Sequence, residues 1–180
     1  ELELSGTHNV ANALAALAST EVLFGDTSAL GLDALRRFQG LPHRCEVIDD
    51  RDDIIWVNDS KGTNPAATVA ALEGVNRPVV LIAGGQSKGA DLSILADAVR
   101  RYARQVVLFG EDRNKVAAAI GRCVPLTIAD DLAHAVSLAA SWAQPGDAVV
   151  LSPACASFDM FEDYQQRGEV FRQLVKEQLR

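Results

Sequence analysis

Three short runs, "PVVLIAGG", "QVVLFG" and "AVVLS", are apolar at consecutive positions, and "IIWVN" (54–58) is apolar on both alternations before its final Asn. A strand with one wet face alternates apolar and polar residues, so runs like these belong to strands covered on both faces, as in parallel sheets. Helical patterns stand between them: "NPAATVAALEG", "LSILADAVRRYA", "RNKVAAAIG" and "DLAHAVSLAASWA". Such alternation predicts an α/β fold with a Rossmann-like, mostly parallel sheet and helices on both faces. "CEVID" and "IIWVN" flank "DRDD", which reads as a hairpin turn. "CVPLTI" is a weaker strand, suited to an edge by Pro125. A last helix is expected from about Asp159 to Leu179, with Phe161, Tyr164, Gly168, Phe171 and Val175 on one stripe and Asp159 and Glu162 spaced as a capping box.

Ahead of this pattern lie two helices, "HNVANALAALASTEVLFG" and "SALGLDALRRF", followed by Gly40 and Pro42 as punctuation. The first is rich in Ala and Leu on nearly every side, as in a helix made for burial. Two short helices have too little surface for a core of their own. The reading is therefore a boundary near residue 40, with residues 1–40 ending one domain and residues 41–180 forming another. The chain opens on Glu in mid-pattern, so it is expected to be part of something longer.

With 180 residues, 48% hydrophobic and 23% charged, the chain has a globular composition. Its net charge of -7 argues against non-specific nucleic-acid binding, which needs clustered Lys and Arg. Nothing marks a membrane surface, and no apolar run is long enough to cross a bilayer. Cys45, Cys123 and Cys155 make an odd number without CxxC, which fits a reducing cytoplasm and indicates neither a disulfide framework nor a zinc site.

Chemistry in a sheet of this type sits above the carboxyl ends of the strands. The first such joint is "NDSKGTN", where Asn64 before Pro65 suits a helix N-cap and Gly74 suits the helix end. The second is "IAGGQSKGAD". There Gly84 and Gly85 let backbone approach a ligand, and Lys88 offers a point charge for a carboxylate or phosphate, against the alternative of a solvated loop lysine. Neither the G-x-x-x-x-G-K-[ST] nor the G-x-G-x-x-G pattern is satisfied. In the third joint, "LFGEDRNK", Asp112 is expected only to cap a helix. In the fourth, "LSPACASFDMF", Ser157 has a hydroxyl and an N–H to present to an anion, while Cys155 reads as a small buried residue. Asn9 and Asn12 share one helix face, suited to a base edge, although capping competes for Asn9. His43 and Arg44 at the boundary suit ribose or phosphate, or an interdomain salt bridge.

"HNVANALAALA", "GLPHR", "NDSKGTNPAAT", "GGQSKGAD" and "LSPACASFDMFEDYQQRGEVF" together resemble the second half of the Mur ligases, and among them the D-glutamate-adding branch. The likeness runs over essentially the whole chain in order. It implies a cytoplasmic, three-domain enzyme of peptidoglycan synthesis that uses ATP and Mg2+ to phosphorylate the carboxylate of UDP-N-acetylmuramoyl-L-alanine, after which D-glutamate attacks the acyl phosphate. It further implies that residues 1–40 end the central ATP-binding domain. Carried over by position, Asn9, Asn12, His43, Arg44 and Asp59 contact adenine and ribose. Thr63, Lys88, Ser157, Phe158 and Tyr164 hold D-glutamate, with Lys61 beside them. Phe158 and Tyr164 stand where the family is expected to have Leu and Phe, and for Tyr164 core packing is an alternative. The P-loop, the carbamylated-lysine segment and the UDP-binding domain are not in this sequence, so the chain alone is expected to be catalytically inactive. The competing readings are a folylpolyglutamate synthase-like ligase and a nucleotide-binding module without a reaction.

Overall fold

The structure, a computed structural model, describes residues 7–25 and 28–180. It divides into two compact units that meet in sequence between Leu41 and Pro42. The first holds α1 (Thr7–Phe24) and α2 (Ser28–Arg37). These helices lie so close at Gly31 that a Cβ there would come within 2.7 Å of the Leu17 side chain. Leu14, Val22, Leu23 and Phe24 remain exposed. Part of the apolar surface of α1 that reads as made for burial is therefore left open by α2.

The second unit contains β1 (Glu46–Arg51), β2 (Ile54–Asn58), α3 (Pro65–Gly74), β3 (Val79–Gly84), α4 (Leu95–Tyr102), β4 (Ala103–Phe109), α5 (Arg113–Ile120), β5 (Leu126–Ile128), α6 (Leu132–Trp142), β6 (Ala148–Leu151) and α7 (Tyr164–Gln178). Six strands form one sheet in the order β1-β2-β6-β3-β4-β5. All neighbours pair in parallel except β1 with β2. That hairpin turns through Asp52 and Asp53, at φ 55° and 60°. Two successive positive φ values are what a two-residue type I′ turn requires, and Asp tolerates them. The strand after Pro125 takes the opposite edge, as expected.

Each central strand is buried on both faces. Val57, Leu81, Leu108 and Val150 turn toward α3, α4 and α5, in one cluster with Leu72, Leu95, Val99 and Val116. Trp56, Ile82, Val107 and Val149 turn the other way, against Leu132 and Val136 of α6 and Phe171 and Val175 of α7. Burial of each such side chain contributes about 1.5–3 kcal/mol, so the two apolar layers fix the sheet and leave its carboxyl edge free to carry polar loops.

Three local expectations are corrected. Helix α7 begins at Tyr164, capped by Asp163, whose side chain accepts from the Gln166 N–H, and Gln166 Oε1 accepts from the Glu162 N–H at 2.7 Å. Asp159 instead accepts a tertiary bond from the Glu111 N–H at 2.8 Å. Gly74 is the last residue of α3, and the chain leaves through Val75 in extended conformation, so no left-handed glycine ends that helix. Asp112 stands at the N-cap position of α5 but makes no side-chain cap bond.

Helix α7 is seated on the sheet at Gly168, where a Cβ would stand 2.3 Å from His43 Nδ1. Gly168→Ala is therefore expected to cost about 1–3 kcal/mol in urea unfolding. In a double-mutant cycle with His43→Ala the two losses will be less than additive. Additive losses would mean that ring and glycine do not oppose one another.

Candidate functional site

The loop after β2 is built on a buried polar floor. Asn58 is fully buried, its amide nitrogen donates to Gly168 O at 3.0 Å, and its Oδ1 accepts from the Ser60 N–H at 3.1 Å. Asp59 is 6% exposed and accepts from Ser152 Oγ at 2.7 Å and from the Cys45 N–H at 3.2 Å. Burial raises its pKa above the usual carboxylate range, and those two donors only partly offset it. Lys61 then lifts its ammonium over the Tyr164 ring, 4.0 Å from the centroid. The N–H of half-buried Thr63 donates to Lys61 O at 2.8 Å. Asn64 caps α3 as the sequence predicts, in extended conformation and accepting from the Ala67 N–H at 3.0 Å.

The loops after β3 and β6 come together because those strands are neighbours. Gln86 and Ala156 exchange both backbone bonds at 2.9 Å, and the Ala154 N–H donates to Gly62 O at 2.8 Å. One loop thus touches both others. Gly85, at φ 126°, admits no Cβ, since Ala156 O would lie 2.3 Å away. A Cβ at Gly84 would meet Phe109 O at 1.9 Å. The backbone approach expected from these glycines is to neighbouring protein segments. Lys88 is exposed, at φ 50°, with its ammonium 4.3 Å from the centroid of the exposed Phe158 ring. Ser157 is 2% exposed at the start of the turn that precedes α7. Cys155 is fully buried and its thiol is pushed up to about 12 by desolvation, so it stays protonated and is no nucleophile.

Lys61, Thr63, Lys88, Ser157, Phe158 and Tyr164 thus belong to three adjoining loops and the first turn of α7. His43 sits against α7. It is 5% exposed, Nδ1 stands 3.2 Å from Asn58 Nδ2 and Nε2 stands 3.5 Å from Glu169 Oε1. The ring is spent on seating α7, and the exposed group beside it is Arg44. Asn9 and Asn12 lie on α1 of the first unit, half-buried and exposed respectively. Among the described residues, no group of three or more His, Cys, Asp and Glu could hold a metal ion, and no helix is long and apolar enough to cross a membrane.

Two residues to which the sequence assigns no part in the site organise these loops. Arg167 is fully buried: Nε donates to Ser60 Oγ at 3.0 Å, one terminal nitrogen to Ser60 O at 2.8 Å and the other to Cys155 O at 3.2 Å. Asp112 accepts from Ser87 of the Lys88 loop. An arginine between "QQ" and "GEV" reads as an exposed helix face, and only the glycine beside it hinted at close packing.

The chain belongs to the Mur ligase family, through its glutamate ligase domain, whose model matches residues 43–155. Across nearly its whole length it is also similar to one particular member. It is 50% identical over 183 residues to the UDP-N-acetylmuramoylalanine--D-glutamate ligase of Marinobacter nauticus, covering 98% of this chain and 40% of that protein. With the Bordetella pertussis protein of the same name it shares 52% over 181 residues, 98% of this chain and 34% of that one. The chain therefore spans about two fifths of the length of the curated relatives it matches. Among solved structures, the folylpolyglutamate synthase of Mycobacterium tuberculosis complexed with ADP aligns at TM-score 0.73 with 22% identity, over 96% of this chain and 41% of that one. The UDP-N-acetylmuramate-alanine ligase of Thermotoga maritima aligns at 0.72 with 20%, over 98% and 39%. Those two likenesses speak for the fold alone.

A carboxyl with a raised folded-state pKa binds its proton more readily in the folded chain than in the unfolded one, so its ionisation opposes folding as pH rises from about 4 toward neutrality. Asp59→Asn removes that cost. The difference in melting temperature between variant and wild type is expected to move in the variant's favour between about pH 4 and pH 7, whereas a pH-independent difference would mean that Asp59 titrates normally.

Proposed function

We propose that this chain is the amino-acid-binding end of an ATP-dependent ligase that joins D-glutamate to UDP-N-acetylmuramoyl-L-alanine. The observation that carries the reading is the meeting of three strand-end loops with two lysines, each over an aromatic ring, in a chain about 50% identical to ligases of that name. A dicarboxylic amino acid needs cations and N–H or O–H donors around its side-chain carboxylate while its amine stays free to attack. Lys88, Thr63 and Ser157 are of those types, with Lys61 adjoining, and Phe158 and Tyr164 wall the pocket.

Residues 1–40 are proposed as the end of a central ATP-binding domain and residues 41–180 as the domain that delivers the amino acid. Asn9, Asn12, Arg44 and Asp59 are assigned to adenine and ribose. Each Asp59 oxygen keeps lone-pair capacity beyond the bond it takes from Cys45 or Ser152, and a ribose hydroxyl is proposed to use it. His43 is assigned to this group only through the loop it anchors. ATP supplies the phosphoryl group that activates the carboxylate of the nucleotide substrate, and Mg2+ is proposed to be held outside this chain. What these residues contribute is alignment of the incoming amine and a charge-matched pocket, the main resources of catalysis once a carboxylate is activated. A cytoplasmic location follows from this reading.

The test is phosphate release by the full-length gene product with ATP, UDP-N-acetylmuramoyl-L-alanine and a panel of amino acids. Turnover is expected with D-glutamate and not with other acceptors, falling by a factor of roughly 10 to 100 in Lys88→Ala, as for loss of a charged hydrogen bond at the site. The 180-residue chain alone is expected to release none. Preference for another acceptor, or indifference to Lys88, would overturn the substrate or the site.

A further inference from the structure

Lys88 has a demanding position. It is exposed, as are Gly89 and Ala90 after it, and its backbone is held at φ 50°, a region costly for a residue with a Cβ. Apolar packing does not fix this turn. Its anchor is Asp112, from the loop after β4.

Asp112 stands at the helix N-cap position, where a carboxylate ordinarily accepts from the N–H groups of its own helix. Here φ and ψ are -96° and 19°, and no such bond is made. One oxygen of the carboxylate, 6% exposed, takes both donors of one residue, the Ser87 N–H at 2.7 Å and Ser87 Oγ at 2.6 Å. Its own N–H donates to Gly85 O at 2.9 Å. Its other oxygen is matched by Lys115 Nζ at 2.7 Å. Bonds reach the turn on both sides of Gln86, which is itself paired with Ala156. An orphaned helix end has thus been exchanged for a clamp on the residue directly before Lys88.

We propose that Asp112 is a positioning residue for amino-acid binding: its clamp on Ser87 holds the strained backbone of Lys88 so that the ammonium faces the incoming carboxylate beside Phe158. The inference rests on the function proposed above and deepens it. Asp112 itself touches no substrate. Its strength comes from charge: a carboxylate accepting two short bonds in a buried setting is held much more firmly than a neutral amide in the same place.

The experiment measures KM for D-glutamate, ATP and the nucleotide substrate, with kcat, in the full-length gene product and its Lys88→Ala, Asp112→Asn, Ser87→Ala and Asp112→Asn/Ser87→Ala variants. Asp112→Asn is expected to raise KM for D-glutamate roughly tenfold while leaving the other two KM values within about twofold. Ser87→Ala, a milder change that keeps the backbone bond, shifts the same constant by less. The double variant is no worse than Asp112→Asn alone, because both act through one contact. If Lys88→Ala raises KM for D-glutamate and neither Asp112→Asn nor Ser87→Ala does, the positioning role is wrong and the site stands. If both lower kcat without a selective change in that KM, Asp112 serves the fold only. If Lys88→Ala itself leaves D-glutamate untouched, the site reading fails and this proposal falls with it.

Discussion

The buried guanidinium of Arg167 is the constraint on which the arrangement above the sheet depends. Three elements distant in sequence meet at it: the loop after β2 through Ser60, the loop after β6 through the Cys155 carbonyl, and α7, which carries the arginine. Ser60 Oγ passes the connection on by donating to Tyr164 O at 2.8 Å. Desolvation pulls the pKa of Arg167 down to about 10, against the favourable charge of Asp159, and leaves the group charged at neutral pH. A buried cation is tolerable only when its donors are matched, and here they are matched by loop oxygens. Those oxygens must therefore stay in place, and with them Lys61, Thr63, Ser157 and Phe158.

Around this group lies a polar layer between the apolar core and the surface. His43, Asn58, Asp59, Ser60, Thr68 and Ser152 are all nearly or fully buried, and Ser152 Oγ reaches both Asp59 and Thr68. In a low dielectric such a network is rigid when fully bonded and expensive when it is not. Lys61 stands on top of it, half-buried over an aromatic ring. Precision comes from the layer below and reach from flexible side chains above. Phe158 extends that logic, since a ring gives the Lys88 ammonium a resting place that Leu does not.

The sheet was legible because its signal is local. Continuous apolar runs and the helices between them belong to short stretches, and Asn64-Pro65 announces a helix start from two residues. The start of α7 is ambiguous in the sequence because two D-x-x-[EQ] patterns stand four residues apart. Asp163 and Gln166 form the cap, while Asp159 is claimed by a backbone N–H from the β4 loop. The candidate lysines, Thr63 and Ser157 were recognisable from their joints and the family resemblance. What was not legible depends on contacts between remote segments. Arg167 meets Ser60 across 107 positions, Asp112 meets Ser87 across 25, and Asn58 meets Gly168 across 110. His43 shows the same dependence, because its place against Gly168 and Glu169 of α7 joins segments more than 120 positions apart. The glycines of "AGGQSKGAD" likewise look prepared for a ligand, while the structure fills the space above them with Phe109 and Ala156 backbone.

The most direct test of this dependence is amide hydrogen exchange on the 180-residue chain with Arg167→Met, a change that keeps the side chain's bulk and removes its donors. Exchange at Ser60 to Thr63 and at Cys155 to Phe158 is expected to accelerate together, while the amides of β3 and β4 keep their protection relative to one another. Loops that retain wild-type protection in the variant would contradict the account, and the site would then have to be held in place by something other than Arg167.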